Sequence, residues 1–330
     1  MARAWYLKSR PAGMPSLDNF ELRSVELAPL TSGTIRVRNR WLSVDPYMRG
    51  RMNDVESYVP PFSLDAPLDG AAIGEVLESK AEGFAPGDLV SHRFGWRDEI
   101  VGPAHTFVKL GNSSVPPQTY LNTLGMIGAT AYFGLLGVAA AKPGETLFVS
   151  AAAGAVGSAV VQIARLTGMT VIASAGGPEK CAYVKSLGAD AVIDYKSEGD
   201  LQEKLAAVAK NGIDVYFDNV GGDHLDAALG VARQGARVAV CGMIDMYNGT
   251  EQVALRNLFR VISHRIRIEG FIVSDFSHRL DEFRAAMGRW VANEDVVGRE
   301  TVMEGLESAP DAFLALFSGR NLGKMLVRLP

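Results

Sequence analysis

Cysteine is scarce in this 330-residue sequence, which contains only Cys181 and Cys241. Two isolated cysteines exclude a disulfide framework and a four-cysteine structural zinc site. The chain also lacks the paired cysteine and histidine spacing of a catalytic zinc site, so we expect its chemistry to be metal-free. Cys181 opens an apolar helix face and Cys241 ends an apolar run, and both are expected to be small buried hydrophobic residues.

Long apolar runs and an excess of positive charge are also missing. No stretch reaches the roughly 20 apolar residues that span a bilayer, and the N-terminal "MARAWYLKSRPAG" has no apolar core of signal-peptide length. The 33 Lys and Arg residues are outnumbered by 37 Asp and Glu residues, and the 5 histidines show no pattern of a hydrolase triad. The sequence therefore predicts a cytoplasmic protein that binds neither nucleic acid nor membrane.

Two sequence textures divide the chain. Up to about residue 120, short alternating apolar runs broken by Pro and Gly, such as "TIRVRNRWLSV", predict a β-rich, partly closed sheet domain. From Glu145 onward strands and helices alternate, which predicts βαβ units around a doubly wound parallel sheet, and "ARVAVCG" and "IRIEGFIV" are predicted to extend that sheet as two further strands. We expect an α/β protein with a β-rich domain of residues 1–120 and 295–330 and a parallel-sheet domain of residues 121–294. The C-terminal "GKMLVRLP" is predicted to return to the first domain as an edge strand.

A glycine-rich turn lies between the first strand and the first helix of that alternation. Its segment "AAGAVG" matches the dinucleotide fingerprint with alanine in the first glycine position. Gly154 lets the backbone approach a pyrophosphate, Gly157 allows tight packing of helix on strand, and the free N–H groups of the helix start point at the phosphates. The residues of this turn that we expect to contact a dinucleotide are Ala152, Gly154, Ala155, Val156 and Gly157.

The second strand of this unit, "TVIASA", ends without an acidic residue. In an NAD-binding unit an Asp or Glu at that place holds the adenosine ribose hydroxyls. An acid there would repel the additional phosphate of NADP, whereas Lys180, just beyond Gly176 at the start of the next helix, is placed to pair with it. The missing acid therefore predicts a preference for NADPH.

Specific motifs extend over nearly the whole chain, and they are "SVDPYMRGRM", "GMIGATAYFGLL", "SAAAGAVGS", "GGPEKCAYVKSLGADAVIDYK", "FDNVGGDHLDAAL", "CGMIDMYN" and "GRNLGKMLVRL". In these motifs the sequence resembles the zinc-independent medium-chain dehydrogenase/reductases of the prostaglandin reductase, leukotriene hydroxydehydrogenase and alkenal double-bond reductase type. The resemblance implies a GroES-like β-rich catalytic domain, a Rossmann domain, NADP(H) as cofactor and homodimers formed through Rossmann edge strands. It also implies reduction of a carbon–carbon double bond conjugated to a carbonyl.

The resemblance assigns further cofactor-binding residues. It places Lys180 and Tyr195 on the adenosine 2'-phosphate and Asn219 near the ribose on the nicotinamide side. Thr130 would flank the cofactor, and Asn321 would contact it from the C-terminal tail. The loop after the fifth strand would add Cys241, Gly242 and Met243, and the resemblance implies that Phe271, Ile272 and Val273 meet the nicotinamide amide with backbone groups.

Reduction of a conjugated double bond needs a group that stabilises negative charge. Hydride transfer to the β-carbon moves electron density onto the carbonyl oxygen, and without a metal the donor to that oxygen must be a hydroxyl of the cofactor ribose or of a tyrosine. The resemblance places Tyr47 in the substrate cleft and Tyr247 above it on the cofactor loop. Because a phenol is a weak acid at pH 7, we expect these tyrosines to orient the oxygen and water to supply the final proton.

The substrate remains open at this stage. Tyrosine and methionine residues near the expected cleft favour a small apolar enal or enone over a charged molecule. An NADPH:quinone oxidoreductase would share the scaffold, the cofactor and the metal-free site, and a non-catalytic NADPH-binding protein of the same fold is a weaker alternative. An NADPH-dependent alkenal or enone reductase is the leading hypothesis.

Overall fold

A computed structural model describes residues 1–111, 115–249 and 254–330. Contacts divide this part of the chain into unit 1, formed by Met1–Leu121, Glu300–Asn321 and Met325–Pro330, and unit 2, formed by Asn122–Arg299 and Leu322–Lys324. The described strands are β1 (Ala2–Leu7), β2 (Phe20–Val25), β3 (Thr34–Ser43), β4 (Ala72–Ser79), β5 (Leu89–His92), β6 (Glu99–Pro103), β7 (Val108–Lys109), β8 (Thr146–Val149), β9 (Thr170–Ala175), β10 (Ala191–Asp194), β11 (Ile213–Asp218), β12 (Ala232–Val240), β13 (Arg267–Gly270), β14 (Glu300–Glu304) and β15 (Lys324–Arg328). The described α-helices are α1 (Met48–Arg51), α2 (Met126–Tyr132), α3 (Ala155–Leu166), α4 (Pro178–Ser186), α5 (Leu201–Val208), α6 (Gly222–Val231), α7 (Arg260–Ser263), α8 (Leu280–Ala292) and α9 (Ala309–Phe317).

Unit 1 is built on antiparallel sheet. In the described residues its larger sheet has the order β14-β15-β3-β4-β5-β7, with β6 paired to β3, and β1 and β2 form a separate pair. Along β3 the side chains of Ile35, Val37 and Asn39 are buried, and those of Arg36 and Arg38 between them are half-buried or exposed. This alternation is the period-2 pattern by which the sequence predicted the strand.

The C-terminal strand β15 does not lie at an edge, so that prediction is wrong. It lies between β14 and β3, and Leu326 and Val327 face Ser43 and Leu42 across an antiparallel ladder. Pro330 follows the end of the strand, so its missing N–H removes no bond from the ladder. The outer neighbour is β14, which the sequence pattern did not reveal as a strand.

Unit 2 is a doubly wound parallel sheet. Across the described residues the strand order is β10-β9-β8-β11-β12-β13, and the neighbours are paired in parallel. The chain runs from β8 outward to β10, returns to β11 beside β8, and then continues outward on the other side. The reversal places a crevice at the carboxyl ends of β8 and β11, where open α/β sheets bind their ligands.

Apolar residues cover both faces of this sheet. Phe148 and Tyr216 pack on one face, whereas Val149 and Phe217 pack on the other. Burial on both faces explains why "TLFVSA" and "IDVYFDNV" are almost continuously apolar. No helix in the described ranges is both long and apolar enough to cross a bilayer.

One strand of unit 2 is shorter than the sequence predicted, and one helix changes type along its length. The predicted strand "IRIEGFIV" ends early, since β13 stops at Gly270 and a 3-10 helix follows at Val273–Arg279 before α8. After α2 the chain continues as a π-helix over Phe133–Val138. Within it Gly134 is required by packing, because a Cβ there would lie 2.4 Å from the Phe271 ring.

Candidate functional site

The glycine-rich turn joins β8 to α3 in unit 2. Gly154 is the N-cap of α3 in an extended conformation, and no side chain caps the helix. The first-turn N–H groups of Ala155, Val156 and Gly157 have no acceptor within the helix and form a cradle for an anion. A Cβ at Gly157 would lie 2.4 Å from the Ala151 carbonyl oxygen, so only glycine fits where the helix crosses the strand end.

A short piece of the C-terminal tail lies against this turn. Gly323 N–H donates to the Ala153 carbonyl at 2.8 Å, and Gly154 and Gly323 form an isolated parallel bridge. Gly323 has φ +72, and a Cβ there would lie 2.0 Å from the Arg299 carbonyl oxygen. The sequence analysis did not predict this contact, and the glycine of "LGK" was the one feature that indicated it.

A cluster that we call the phosphate end consists of Gly176, Lys180, Tyr195 and Lys196. A Cβ at Gly176 would lie 2.7 Å from the Tyr195 hydroxyl and 3.0 Å from Lys196 Cε, so glycine lets both side chains approach the end of β9. Burial, followed by the charge of Lys196, lowers the pKa of Lys180. Two ammonium groups side by side at a strand end favour a multivalent anion. Lys196 was missed from the sequence, although it directly follows Tyr195.

The Asp194 carboxylate lies near the phosphate end and is already bound to backbone. Its Oδ1 accepts the N–H groups of Gly177 and Lys196, both at 2.9 Å. The hydrogen bond from the Gly177 N–H, and then that from the Lys196 N–H, hold the pKa of this carboxyl below its usual value. Asp194 therefore shapes the loop, and β9 itself ends in Ser174 and Ala175 without an acid, as the sequence indicated.

A second cluster, which we call the ribose end, consists of Ser150, Tyr216, Asp218 and Asn219. Asn219 donates its backbone N–H to Ser150 Oγ at 2.9 Å and its side-chain Nδ2 to the Ser150 carbonyl at 2.8 Å. Asp218 Oδ1 accepts from the Tyr216 hydroxyl at 2.6 Å and from the N–H groups of Val220 and Gly221. This network fixes Asn219 before any ligand is present. Sequence reasoning identified Asn219 alone and missed its three supports.

Burial dominates the electrostatics of the ribose end. Asp218 is fully buried and its Oδ2 has no hydrogen-bond partner among the described residues. Burial raises the pKa of Asp218, and burial together with the Asp218 charge raises the pKa of Tyr216. Burial also raises the pKa of the neighbouring Cys241 to about 12, so its thiol stays protonated and unreactive at neutral pH.

The loop after β12 packs on the ribose end. The N–H groups of Cys241 and Gly242 donate to the Asp218 carbonyl at 2.8 and 3.1 Å. A Cβ at Gly242 would lie 3.1 Å from the Tyr247 hydroxyl, so the phenol of Tyr247 lies directly over this glycine. A Cβ at Gly221 would lie 3.0 Å from Met243. The structure thus brings Asn219 and the loop residues Cys241, Gly242, Met243 and Tyr247 together.

Other predicted cofactor residues of unit 2 occupy its helical side. Thr130 lies in α2 and donates its hydroxyl to the Met126 carbonyl at 2.7 Å, which leaves its oxygen lone pairs for other donors. Phe271 directs its ring at Phe217, with centroids 6.3 Å apart, and Ile272 and Val273 follow it in the chain. Of the remaining predicted residues, Asn321 and Tyr47 belong to unit 1.

Tyr47 directly precedes α1 and is half-buried. Its hydroxyl accepts a hydrogen bond from Arg93 Nη2 at 3.2 Å. Burial, and then the charge of Asp45, raises the pKa of Tyr47 to about 12. The phenol is therefore a hydrogen-bond donor at neutral pH and not a general acid.

Comparisons with known proteins follow the same division of the chain. Residues 3–110 match the family described as N-terminal domain of oxidoreductase, and residues 155–292 match the family described as zinc-binding dehydrogenase. An NADPH-dependent curcumin reductase of Escherichia coli (strain K12) is 41% identical over 335 residues, which cover 99% of this chain and 96% of the relative. The chain belongs to the zinc-independent medium-chain dehydrogenase/reductases.

Further members of this family are similar over the full length. An NADP(+)-dependent 2-alkenal reductase of Nicotiana tabacum is 43% identical over 327 residues, which cover 97% of this chain and 95% of the relative. The crystal structure of CurA in complex with NADPH from Vibrio vulnificus has a TM-score of 0.93 and 41% identity, with 99% of each chain covered. The predicted family and the predicted fold, a GroES-like domain and a Rossmann domain, are confirmed.

One family description mentions zinc, and the residues of this medium-chain reductase do not fit that metal. In residues 1–111, 115–249 and 254–330, no three His, Cys, Asp or Glu side chains lie together in a way that could hold a metal ion. The Asp69 carboxylate is paired with Arg51 through a 2.9 Å bond from Nη2 to Oδ2.

Proposed function

We propose that this medium-chain reductase uses NADPH to reduce the carbon–carbon double bond of α,β-unsaturated aldehydes and ketones. The observation that carries the proposal is 43% identity, over 97% of this chain, to an NADP(+)-dependent 2-alkenal reductase. The presence of a hydrogen-bonded tyrosine, Tyr47, agrees with it.

NADP(H) fits the residues of unit 2. The N–H groups at the start of α3 would hold the pyrophosphate, while Lys180 and Lys196 would pair with the 2'-phosphate. The Tyr195 hydroxyl beside Gly176 offers a further donor to that phosphate. Asn219 would bind the ribose of the nicotinamide half through the polar groups that its bonds to Ser150 leave over. Thr130, Asn321 and the loops at residues 241–243 and 271–273 are proposed as further contacts.

When bound, NADPH supplies a hydride. We propose that the substrate accepts it at the β-carbon, that its carbonyl oxygen then carries the enolate charge, and that water protonates the α-carbon. The tyrosines Tyr47 and Tyr247 are proposed to donate hydrogen bonds to that oxygen. A preorganised donor of this kind contributes about 10²–10³-fold to the rate.

The test is an assay of cofactor oxidation with a medium-chain 2-alkenal, a cyclic enone and a benzoquinone, each with NADPH and with NADH. We expect a saturated aldehyde from the alkenal, identified by mass spectrometry, and much faster turnover with NADPH. An unsaturated alcohol would show that the carbonyl carbon takes the hydride. Turnover confined to the quinone would replace the proposal with quinone reduction, and NADPH binding without any turnover would leave only a binding role.

We further propose that the protein is a homodimer joined through the exposed edge of the unit 2 sheet. Strand β13 is exposed along its length, and Phe259 and Ile262 beside it are 73% and 72% exposed. A strand whose outer edge has no partner among the described residues, together with large exposed apolar side chains, fits pairing with a second copy. Light scattering is expected to give the dimer mass for the native protein and the monomer mass for Ile262→Lys. A monomeric native protein at micromolar concentration would contradict the proposal.

A further inference from the structure

Arg93 and Tyr47 come from separate segments of unit 1 and are joined by a hydrogen bond from Arg93 Nη2 to Tyr47 Oη of 3.2 Å. An arginine side chain has donors and no acceptor, so the phenol oxygen must be the acceptor in this pair. The phenol hydrogen is then left to donate in another direction. We propose that Arg93 is a positioning residue that holds the Tyr47 hydroxyl with its hydrogen free for the carbonyl oxygen of the substrate. This inference rests on the proposed function.

Two consecutive residues, Asp69 and Gly70, tie the two segments to each other. The Asp69 carboxylate binds Arg51, which lies in α1 directly after Tyr47. The Gly70 N–H donates to the Arg93 carbonyl at 3.0 Å. The backbone at Arg93 and the helix that follows Tyr47 are therefore held by neighbouring atoms of one short segment, which fixes the distance between the two side-chain origins.

The backbone of the loop that carries Arg93 is also held by hydrogen bonds from a buried side chain. Asn39 is fully buried, and its Nδ2 donates to the carbonyls of Phe94 and Arg97 at 2.9 and 2.8 Å. Gly95 N–H donates to the Gly70 carbonyl at 2.9 Å. The Arg93 side chain is exposed, but its backbone is held by bonds on both sides, so the starting point of the side chain is fixed and its Nη2 reaches the Tyr47 hydroxyl.

The positive charge of Arg93 also strengthens the Tyr47 hydroxyl as a hydrogen-bond donor. Asp45 and Asp69 oppose ionisation of Tyr47, whereas Arg93 and then Arg51 favour it and lower its pKa relative to burial alone. Arg51 already shares its charge with Asp69. Among the described residues Arg93 has no ion pair, so its charge acts on the phenol with little compensation and strengthens the O–H group as a donor.

Because the Arg93 guanidinium is exposed, its effect on turnover can be distinguished from an effect on stability. A hydrogen bond made by an exposed guanidinium contributes little to stability, because water competes for both partners. Loss of Arg93 is therefore expected to leave the melting temperature unchanged and to act on the rate of turnover. Substrate binding in the ground state is expected to change little, since the enolate charge develops only during hydride transfer.

The decisive experiment is a double-mutant cycle with Arg93→Met, Tyr47→Phe and the double variant. With saturating NADPH and a medium-chain 2-alkenal, Arg93→Met is expected to lower kcat about tenfold and to change KM less than about twofold. In the Tyr47→Phe background the same substitution is expected to change kcat less than about twofold. Equal losses in both backgrounds would overturn the inference, because Arg93 would then act without Tyr47.

Two further variants control for charge and for general disturbance. Arg93→Lys keeps a cationic donor and is expected to recover most of the lost kcat, and failure to recover any would contradict a donor role. Arg23→Met is the matched control, because Arg23 lies over the Tyr6 ring at 4.5 Å in the same unit but outside the proposed site. It is expected to leave kcat and KM unchanged.

A spectroscopic measurement keeps the inference testable without turnover. In protein labelled with ¹³C at tyrosine Cζ, the Tyr47 signal is assigned by its loss in Tyr47→Phe. Its chemical shift at neutral pH is expected to change in Arg93→Met and to return towards the native value in Arg93→Lys. An unchanged shift in Arg93→Met would show that the hydrogen bond does not form. If the native protein fails to reduce the alkenal, the proposed function is wrong, whereas this measurement still decides whether Arg93 positions the phenol.

Discussion

The phosphate end and the ribose end of unit 2 differ in exposure and in the interactions among their side chains. At the phosphate end Tyr195 is 41% exposed, and two lysines lie close enough for the charge of one to lower the pKa of the other. At the ribose end Asp218 is 0% exposed, and its Oδ1 accepts hydrogen bonds from both side-chain and backbone donors. The phosphate end thus keeps two neighbouring positive charges, whereas Asp218 Oδ1 at the ribose end already accepts several hydrogen bonds before a ligand arrives.

This difference assigns different consequences to mutations at the two ends. Charges at the phosphate end repel each other in the free protein, so their removal affects the binding of an anion more than it affects folding. Polar groups at the ribose end are buried, and removal of one partner leaves the others unsatisfied in an apolar environment. Substitutions there are expected to act first on stability.

The largest expected effect is that of Asp218→Ala. The substitution removes the acceptor of the Tyr216 hydroxyl and of the Val220 and Gly221 N–H groups. Unsatisfied buried donors cost about 1–3 kcal/mol each, partly relieved by relaxation, so the free energy of unfolding is expected to fall by about 3 kcal/mol. Urea denaturation followed by circular dichroism measures it.

Matched variants show whether the network causes that loss. Asp218→Asn keeps an acceptor oxygen and is expected to lose clearly less stability than Asp218→Ala. Asp223→Ala removes an exposed acid in the first turn of α6 and is expected to change the free energy of unfolding by no more than about 1 kcal/mol. Equal losses from Asp218→Ala and Asp223→Ala would show that the buried network of the ribose end does not cause the loss.

A buried histidine beside the phosphate end gives the next effect. The His224 ring contacts Tyr195 with centroids 5.1 Å apart, and burial lowers the pKa of His224 from 6.5 to about 4. Between those values the unfolded chain binds a proton that the folded chain does not, so stability is full above pH 6.5 and declines as the pH falls towards 4. One proton corresponds to about 1.4 kcal/mol per pH unit.

The variant His224→Phe is expected to remove this part of the acid sensitivity. Burial also lowers the pKa of His92 in unit 1 to about 3, so a second proton acts in the same direction and the variant should retain part of the slope. Denaturation at half-unit steps between pH 7 and pH 4 gives the slope of the unfolding free energy. An identical slope in the variant and the native protein would show that His224 is protonated equally in both states.

The variant Lys180→Met tests the expectation that substitutions at the phosphate end act on cofactor binding. Loss of one charge-assisted contact to the 2'-phosphate is expected to raise the KM for NADPH about tenfold and to leave the KM for NADH and the unfolding free energy nearly unchanged. Lys196→Met is expected to act in the same way. Lys210→Met removes an exposed lysine outside the phosphate end and serves as control. A parallel rise of both KM values for Lys180→Met would show that Lys180 does not read the 2'-phosphate.

The sequence predicted the phosphate end better than the ribose end, and the reason is physical. Gly157 is required by a close approach of backbone and Gly176 by the close approach of the Tyr195 and Lys196 side chains, and such requirements leave a pattern of glycines along the chain. The doubly wound order of unit 2 followed from the same local alternation of strand and helix. These features depend on residues that are near one another in sequence.

The missed features depend on contacts between distant segments. Ser150 supports Asn219 from 69 residues away, and nothing in "FVSAAAG" marks its hydroxyl as an acceptor. The place of β15 between β14 and β3 depends on a pairing partner that has no strong alternation of its own. The bond between Arg93 and Tyr47 spans 46 residues and depends on the folding of two irregular segments. Such contacts follow from the assembled fold and not from local pattern.

The smallest expected effect tests the turn that lies between the two ends. Ala151 has φ +48, a left-handed conformation that costs a residue with a Cβ about 1 kcal/mol and costs glycine almost nothing. Ala151→Gly is therefore expected to raise the free energy of unfolding slightly, by roughly 0.5 kcal/mol, because the gain in the native state exceeds the added entropy of the unfolded chain. Ala153→Gly, in the same turn without a positive φ, is expected to lower it. If both variants lose stability equally, the left-handed conformation of Ala151 costs no free energy in the folded protein, and the turn is stable with alanine at this position.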